Sequence, residues 1–194
     1  MNRTTARAAW LAVSLVLLTG CLGGTALPEP ADYLLRVPAG AGAPPRGAPA
    51  FALGDVRVAA YLEQPGIVLA QDDGVVRAAR YHRWAEPLDA SVRLLVAELA
   101  GAALGRPVAR SAAGAGPGPV VVDLTVDTLH GTADGRARID AHWRVAGRPG
   151  EGRFTATEAL AEPGYPALVA AEYRLLERLA EALAAELRAG GSAE

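Results

Sequence analysis

Lysine is missing from this sequence: all 19 basic residues are arginine, against 21 acidic residues, for a formal net charge of -2. Without lysine there is no Schiff-base catalysis and no phosphate-binding lysine of a P-loop ATPase. A chain with no net positive charge also lacks the electrostatic attraction that dominates binding to nucleic acids. We therefore expect neither of these chemistries, and no DNA or RNA partner.

Cysteine is almost as scarce, since Cys21 is the only one in 194 residues. A single cysteine can form no intrachain disulfide and no cysteine-based zinc cluster. The three histidines, His82, His130 and His142, do not have the short spacing of a helical metal-binding pair, and we expect them to be exposed. The sequence therefore predicts no cofactor and no metal site.

Catalytic motifs are also lacking. No serine lies in a Gly-x-Ser-x-Gly elbow, and no Gly-x-Gly-x-x-Gly loop joins a strand to a helix. Asp123 and Asp127 fall on one face of a predicted strand, about 13 Å apart at about 3.3 Å per residue, too far apart to share a proton. We predict that they are solvated and that the protein is not an enzyme. The alternative of a lipid-anchored hydrolase requires a buried polar constellation that the sequence does not offer.

The N-terminus has the layout of a signal peptide. Residues 1–7 carry two arginines and no acid, and residues 8–18 are apolar except for Ser14. This run is shorter than the about 20 apolar residues that cross a bilayer, so it predicts targeting rather than a membrane span. We assign residues 1–20 to a signal peptide.

The end of this segment resembles the lipobox of bacterial lipoproteins: Leu18, Thr19, Gly20, Cys21. The resemblance implies that a diacylglyceryl group is transferred to the sulfur of Cys21 and that cleavage makes this residue the acylated N-terminus, with palmitate among its chains. Two or three acyl chains give a stable membrane anchor, whereas one gives only marginal binding. Leu22 replaces the Asp that resembles an inner-membrane retention signal. We therefore expect anchoring to the outer membrane, facing the periplasm.

The mature chain begins with a tether and continues as one domain. Residues 21–31 contain glycines and prolines that cannot bury a core, so they predict a flexible tether. We place the domain at residues 32–190 and a short tail at residues 191–194. The Ala-, Gly- and Pro-rich segments 38–49 and 111–119 predict variable loops within the domain.

Hydrophobic periodicity predicts an α/β domain. Strands are expected over residues 33–37, 53–62, 67–70, 75–79, 120–129, 137–145 and 153–159. Of these, 67–70 and 75–79 form a hairpin and the last three form an antiparallel meander. Amphipathic helices are expected over residues 87–104 and 166–188. The predicted architecture is a mixed, largely antiparallel sheet with two long amphipathic helices packed on it.

Aromatic residues and prolines concentrate around the predicted hairpin and the first helix. Tyr61 and Pro65 lie at a strand end and in a turn, where chain is commonly exposed and functional, and they are our candidates for partner docking. Trp84 precedes the helix that starts near Pro87 and Leu88, and we expect it to pack into the core. Core packing of the whole segment and an interface role remain the two alternatives.

These same segments carry a resemblance to the ABC-type transport auxiliary lipoprotein family, the PqiC-like subunits of membrane-integrity transporters. The matching pieces are the strand at residues 61–68, Trp-Ala-Glu-Pro-Leu at 84–88, Tyr-Pro-Ala-Leu-Val-Ala-Ala at 165–171, and the lipobox. They follow the family's order from Cys21 to the last helix. The resemblance assigns Trp84, Pro87 and Leu88 to the packing of a family motif.

The resemblance implies a subunit of an MCE-type transport system that moves phospholipid or other hydrophobic molecules between envelope membranes. Its partners would be an MCE-domain protein with its ABC permease and ATPase, and it is compatible with a homo-oligomer. The alternative is a lipoprotein that regulates another envelope machine, such as a cell-wall synthase activator or a lipopolysaccharide assembly partner. Neighbouring genes for an MCE protein, a permease and an ATPase would distinguish the two.

Overall fold

The domain has strands, a helix, a meander and a second helix in the predicted order, with the unpredicted short strand β5 after the first helix. The computed structural model describes residues 28–38, 45–49, 51–71, 74–114 and 118–191, so the predicted signal peptide and Cys21 lie outside the described residues. The elements are β1 (Ala31–Tyr33), β2 (Phe51–Val58), β3 (Gly66–Ala70), β4 (Val76–Trp84), α1 (Leu88–Leu104), β5 (Val108–Ala109), β6 (Val120–Thr132), β7 (Arg136–Val145), β8 (Gly152–Ala159) and α2 (Tyr165–Gly191). The mixed α/β class is confirmed.

The sheet is organised around β6, its longest strand. On one edge β6 pairs with β7 in antiparallel fashion, and β7 pairs in turn with β8. The other edge of β6 is shared by two parallel strands, β2 along its first half and β3 at its end. The sheet therefore forks: β5 extends it beyond β2, whereas β4 and then β1 extend it beyond β3. The long ladders are antiparallel, as predicted.

Both helices pack against one another and against the same face of this sheet. The predicted stripe of α2 is buried, with each of its leucines at most 1% exposed: Leu168, Leu175, Leu176, Leu179, Leu183 and Leu187. On β7 the residues that face the helices are Ala137, Ile139, Ala141, Trp143 and Val145. Full burial of a leucine contributes about 1.5–3 kcal/mol relative to exposure, so this layer is a major source of stability.

The ends of α1 follow from local sequence. Pro87 is the residue before its first turn, and Gly105 ends it in a left-handed conformation (φ 68°) that favours glycine. At the first turn, Ser91 donates a hydrogen bond to Glu86 at 2.5 Å, and Arg36 donates to the same carboxylate at 2.6 Å. These two hydrogen bonds, that of Arg36 first, lower the pKa of Glu86. The chain thus ties the start of α1 to the segment that follows β1.

Several predicted strand boundaries were wrong: the strand expected over 75–79 continues to Trp84, the one expected over 120–129 continues to Thr132, and the first two strands end early. The first strand ends at Tyr33 instead of continuing to residue 37, because its partner β4 ends at Trp84 and offers no further backbone to pair with. The second strand ends at Val58 and gives way to a single 3-10 turn, Ala60–Leu62, which buries Leu62. In both cases the tertiary pairing, and not the apolar run, sets the end of the strand.

One carboxylic acid lies in the core, on the buried side of α2. Glu172 is 1% exposed and belongs to the buried stripe, four residues after Leu168 and four before Leu176. Its Oε2 has no hydrogen-bond partner within the described part of the chain. Burial raises the pKa of Glu172 to about 8, so the side chain is neutral at pH 7.

This burial predicts a pH-dependent stability. The unfolded chain releases the Glu172 proton near pH 4.5 and the folded chain near pH 8, so stability is lost as the pH rises through this window. The slope reaches about 1.4 kcal/mol per pH unit. We expect Glu172→Gln to remove this slope in urea unfolding measured from pH 5 to pH 8, and to stabilise the protein most at the upper end. Glu181→Gln, on the exposed side of α2, is the control. A stability difference between wild type and Glu172→Gln that stayed constant with pH would contradict the assignment.

Candidate functional site

One face of the sheet, which we call the open face, lies opposite the helices and carries the outward-pointing residues of β2, β6, β7 and β8. It contains a concavity of about 370 Å³ across β2, β6 and β7, lined by Asp55, Arg57, Asp123, Thr125, His142, Arg144 and, just before β8, Glu151. The lining combines three carboxylates with two arginines. The concavity therefore presents ion-pairing groups of both signs to a polar partner.

Several side chains of this concavity have polar partners, and Asp127, the partner of His142, lies beside the lining. His142 places Nδ1 2.8 Å from Asp127 Oδ2, and Arg144 places Nε 3.2 Å from Glu151 Oε1. Arg57 pairs with Asp55, two residues away on β2. Exposed pairs of this kind contribute about 0–1 kcal/mol each. They order the surface more than they stabilise the fold.

A bulge in β2 shapes one side of the concavity. Between Leu53 and Val56, β2 carries one residue more than β6, and Gly54 lies in this extra length. Asp123 reaches over Gly54, which has no side chain, and accepts the backbone N–H of Asp55 at 2.8 Å. Arg93 of α1 donates to the carbonyl of Gly54 at 2.6 Å. The bulge is thus fixed by one hydrogen bond with β6 and one with α1.

A second bulge corrects the sequence-based picture of the two aspartates. Between Val126 and Thr128, β6 has one residue more than β7, and Asp127 is that residue. Asp123 and Asp127 are consequently not two equivalent solvated positions: the first holds the β2 bulge and the second pairs with His142. Strict alternation of strand residues cannot reveal this, because a bulge changes the facing of every residue after it.

The expectation that the histidines are exposed was wrong, because all three are half-buried. His82 accepts or donates a hydrogen bond with Tyr33 at 3.0 Å and stacks on Tyr165 with ring centroids 4.2 Å apart. Burial lowers the pKa of His130. Among the described residues, no group of three or more His, Cys, Asp or Glu side chains is arranged to hold a metal ion.

The two candidate docking residues lie in different environments. Pro65 is exposed, whereas Tyr61 is half-buried and packs against the core, with burial raising the pKa of its hydroxyl. The ring of Tyr61 also lies 6.1 Å from that of His130. Pro65 is accordingly accessible to solvent, whereas Tyr61 packs behind the turn, against the core.

Beside this turn lies the segment that carries the family motif. Trp84 is 7% exposed and Leu88 3% exposed, both in the core, while Pro87 is exposed before α1. The backbone N–H of Trp84 donates to the carbonyl of Pro65 at 2.8 Å. Trp84 therefore lies between two neighbours across the strands: Pro65 in the turn before β3 on one side and Tyr33 of β1 on the other.

The exposed Leu34 was not anticipated from the sequence. It follows Tyr33 directly and is 54% exposed, the highest value among the exposed large hydrophobic side chains of the described residues. Two strand spacings of about 4.8 Å separate the β1 and β3 positions, so Leu34 lies about 10 Å from Pro65. The run Tyr-Leu-Leu does not indicate that its middle residue is exposed. The pairing of β1 with β4 decides which of the two leucines is buried.

A comparison with known proteins identifies the chain's family. A family model described as the ABC-type transport auxiliary lipoprotein component matches residues 33–184. The chain belongs to this family. The resemblance found in the sequence is thereby confirmed, and the protein is an auxiliary lipoprotein component of ABC-type transport. Within the described residues, neither α1 nor α2 has the length and apolarity needed to cross a bilayer.

Solved structures share the fold of this lipoprotein. The crystal structure of an uncharacterized protein is 22% identical, with a TM-score of 0.69, and the match covers 82% of this chain and 99% of that one. A Xanthomonas campestris protein of the family DUF330 is 15% identical, with a TM-score of 0.59, covering 80% of this chain and 90% of its own. At these identities the similarity shows the fold alone. No curated protein matches the chain.

The geometry of the β2 bulge is testable by adding one methyl group. A Cβ on Gly54 would overlap the Asp123 carboxylate, so we expect Gly54→Ala to cost about 1–3 kcal/mol in chemical denaturation. Asp123→Ala removes the nearer of two overlaps, the other being with the Val121 side chain, and should reduce without abolishing the cost of the Gly54→Ala change in the same background. Equal costs of Gly54→Ala with and without Asp123 would show that the carboxylate does not occupy the site over Gly54.

Proposed function

We propose that this lipoprotein is an outer-membrane-anchored subunit of an MCE-type ABC transport system that moves phospholipid or other hydrophobic molecules between envelope membranes. The observation that carries the proposal is the match of residues 33–184 to the transport auxiliary lipoprotein component. In this role the chain supplies attachment and docking, and catalyses nothing itself. The MCE-domain protein, with its permease and ATPase, supplies transport and energy, and the assembly supports membrane integrity.

The proposed attachment is the acylated Cys21. Residues 21–31 form the tether in this proposal, and the domain proper comprises residues 32–190. The tether has about ten residue steps, which span at most about 33–36 Å when extended. Leu22 after the cysteine favours sorting to the outer membrane. The domain would thus stand in the periplasm, within reach of a partner that approaches from the inner membrane.

Anchoring is tested by removing the acyl acceptor. We expect Cys21→Ser to abolish labelling by a fatty-acid analogue in cells and to leave the protein unprocessed or released from the membrane. Sucrose-gradient fractionation of the wild type should place it with the outer membrane. Continued labelling of Cys21→Ser would refute acylation at this residue, whereas wild type found with the inner membrane would refute only the sorting.

The proposed docking surface, which we call the docking end, consists of Leu34, Tyr61 and Pro65. Leu34 and Pro65 are exposed at the same level of the sheet, and the rigid backbone of Trp84 lies between them through its hydrogen bond to Pro65. Exposed apolar groups on a rigid frame provide contact area at little cost in conformational entropy. Tyr61 contributes by fixing the turn rather than by direct contact. The MCE-domain protein is the partner that we propose for this surface.

Substitution of the two exposed residues separates docking from stability. We expect Leu34→Ser combined with Pro65→Ser to reduce copurification of the MCE partner by about tenfold, corresponding to about 1.4 kcal/mol. The melting temperature should stay at the wild-type value because neither side chain is buried. Ala185→Ser, exposed on α2, is the matched control. Normal recovery of the partner with the double variant would show that docking occurs elsewhere on the domain.

A further inference from the structure

The last strand of the meander, β8, leaves one edge of the sheet open. The strands at the ends of the sheet are β1, β5 and β8, and the first two have only three and two residues. β8 has eight residues, and within the described chain it pairs only with β7. Proteins commonly protect such edges with short strands, prolines or bulges. β8 has none of these protections, since it lacks proline and all of its residues pair with β7 in one unbroken register.

The ladder between β7 and β8 shows which backbone groups of β8 point outward. Hydrogen-bonded and non-hydrogen-bonded pairs alternate along an antiparallel ladder. The N–H of Leu160 donates to the carbonyl of Gly135 at 3.1 Å, one pair beyond Arg136 and Ala159. The pair that includes Ala159 is therefore not hydrogen-bonded, and neither is every second pair before it. The residues whose N–H and C=O groups point away from β7 are Arg153, Thr155, Thr157 and Ala159.

The ladder between β6 and β7 leads to the same assignment. The N–H of Ala146 donates to the carbonyl of Val121 at 2.8 Å, next to the pair of Val122 and Val145. The even-numbered residues of β7 therefore bond to β6, which leaves its odd-numbered residues to bond to the even-numbered residues of β8. All four outward-pointing residues of β8 are also exposed. Their backbone groups are thus accessible to a further strand.

The side chains along this edge carry an excess of positive charge. Arg174 of α2 donates to Glu158 at 2.8 Å, and Arg178 lies 3.6 Å from the other oxygen of the same carboxylate. Arg153, on the open face, has no ion-pair partner among the described residues. Three arginines therefore face one carboxylate along β8, in a chain whose formal net charge is -2.

The neighbouring charges do not remove this excess. On β7, Arg136 donates to Thr157 and Asp140 accepts from Thr155, so these two residues contribute one charge of each sign. At the start of β8, Glu186 of α2 accepts the indole N–H of Trp143 at 3.0 Å. With these residues included, arginines still outnumber carboxylates beside β8.

Charge decides which kind of strand suits the edge. A second copy that paired β8 with β8 would bring Arg153, Arg174 and Arg178 of both copies together, and like charges across a contact repel. An acidic segment would instead accept charge-assisted hydrogen bonds from these guanidinium groups. Phe154 adds apolar contact area, since it is half-buried and lies 5.9 Å from the Arg178 guanidinium. Arginines on both faces of β8 allow the acids of the added strand to lie on either face.

We propose that the outer edge of β8 receives an extended acidic segment of a partner protein, which adds one more strand to the sheet. In this mode of recognition, main-chain hydrogen bonds provide affinity and the alternate side chains provide selectivity. The proposal goes beyond the proposed function, because it requires neither the acyl anchor nor the docking end. β8 and the docking end lie on opposite sides of β6.

Amide hydrogen exchange tests strand addition with a synthetic peptide as the probe. The full-length protein in detergent micelles is saturated with a peptide of alternating Glu and Val that is as long as β8. We expect exchange to slow several-fold at Thr155 and Thr157, because carbonyls of the added strand accept these N–H groups. Exchange at Ala156 and Glu158, which bond to β7, should not change. The same peptide methylated at every backbone nitrogen is the control, since it keeps the charge but cannot form the ladder.

Substitutions then separate the backbone from the charge, with the anisotropy of a fluorescent peptide as the readout. Thr155→Pro removes an outward-pointing N–H and should weaken peptide binding several-fold, with folding retained because proline is tolerated at such positions of an edge strand. Thr155→Val is the matched control, since it removes only the hydrogen bond to Asp140. Arg153→Glu should also weaken binding, whereas Arg106→Glu, in the exposed turn after α1, should not.

Four results would overturn the proposal. Unchanged exchange at Thr155 and Thr157 would mean that no strand is added. Equal binding of the methylated peptide would reduce the contact to charge attraction, and equal binding of a peptide of alternating Lys and Val would remove the preference for acids. Exchange at these amides that slowed with rising concentration of the protein alone would assign the edge to a second copy. None of these results bears on Cys21 or on the docking end, so the proposed function is tested separately.

Discussion

Burial of the leucine stripe of α2 on the sheet is the interaction on which the rest of the structure depends. The stripe, joined by α1, covers the inner face of the sheet, so every outward-pointing strand residue is left on the open face. Trp143 reinforces this layer from β7, since its indole N–H donates to Glu186 of α2 at 3.0 Å. The layer also buries Glu172, whose Oε2 has no hydrogen-bond partner among the described residues and whose burial makes stability depend on pH.

The forked edge of β6 decides how the surfaces are arranged. Because β2 and β3 share that edge, the β3–β4 hairpin and β1 form a branch separate from the meander. This branch carries the proposed docking end. The open-face concavity belongs to the other branch, between β2 and β8.

The sequence allowed the meander, the hairpin and both helices to be predicted, since each has a local period. The buried leucines of α2 and the end of α1 at Gly105 follow from the 3.6-residue repeat and from glycine's backbone freedom. Glu172 was missed although its spacing from Leu168 and Leu176 places it on the stripe. The pairing of Asp127 with His142 could not be found, because it requires a bulge that the alternation of residues conceals.

By itself the sequence determined the class of protein. The family motifs, the lipobox-like segment and the periodicity of the helices and strands each depend on residues that are close together in the chain. The tertiary structure alone decided which strands share the edge of β6, where β1 ends, and which apolar residues stay exposed. Leu34 and Val76 are chemically indistinguishable from core residues. Their exposure follows from long-range pairing of backbone, and a local hydrophobic pattern carries no information about which distant strand provides the partner.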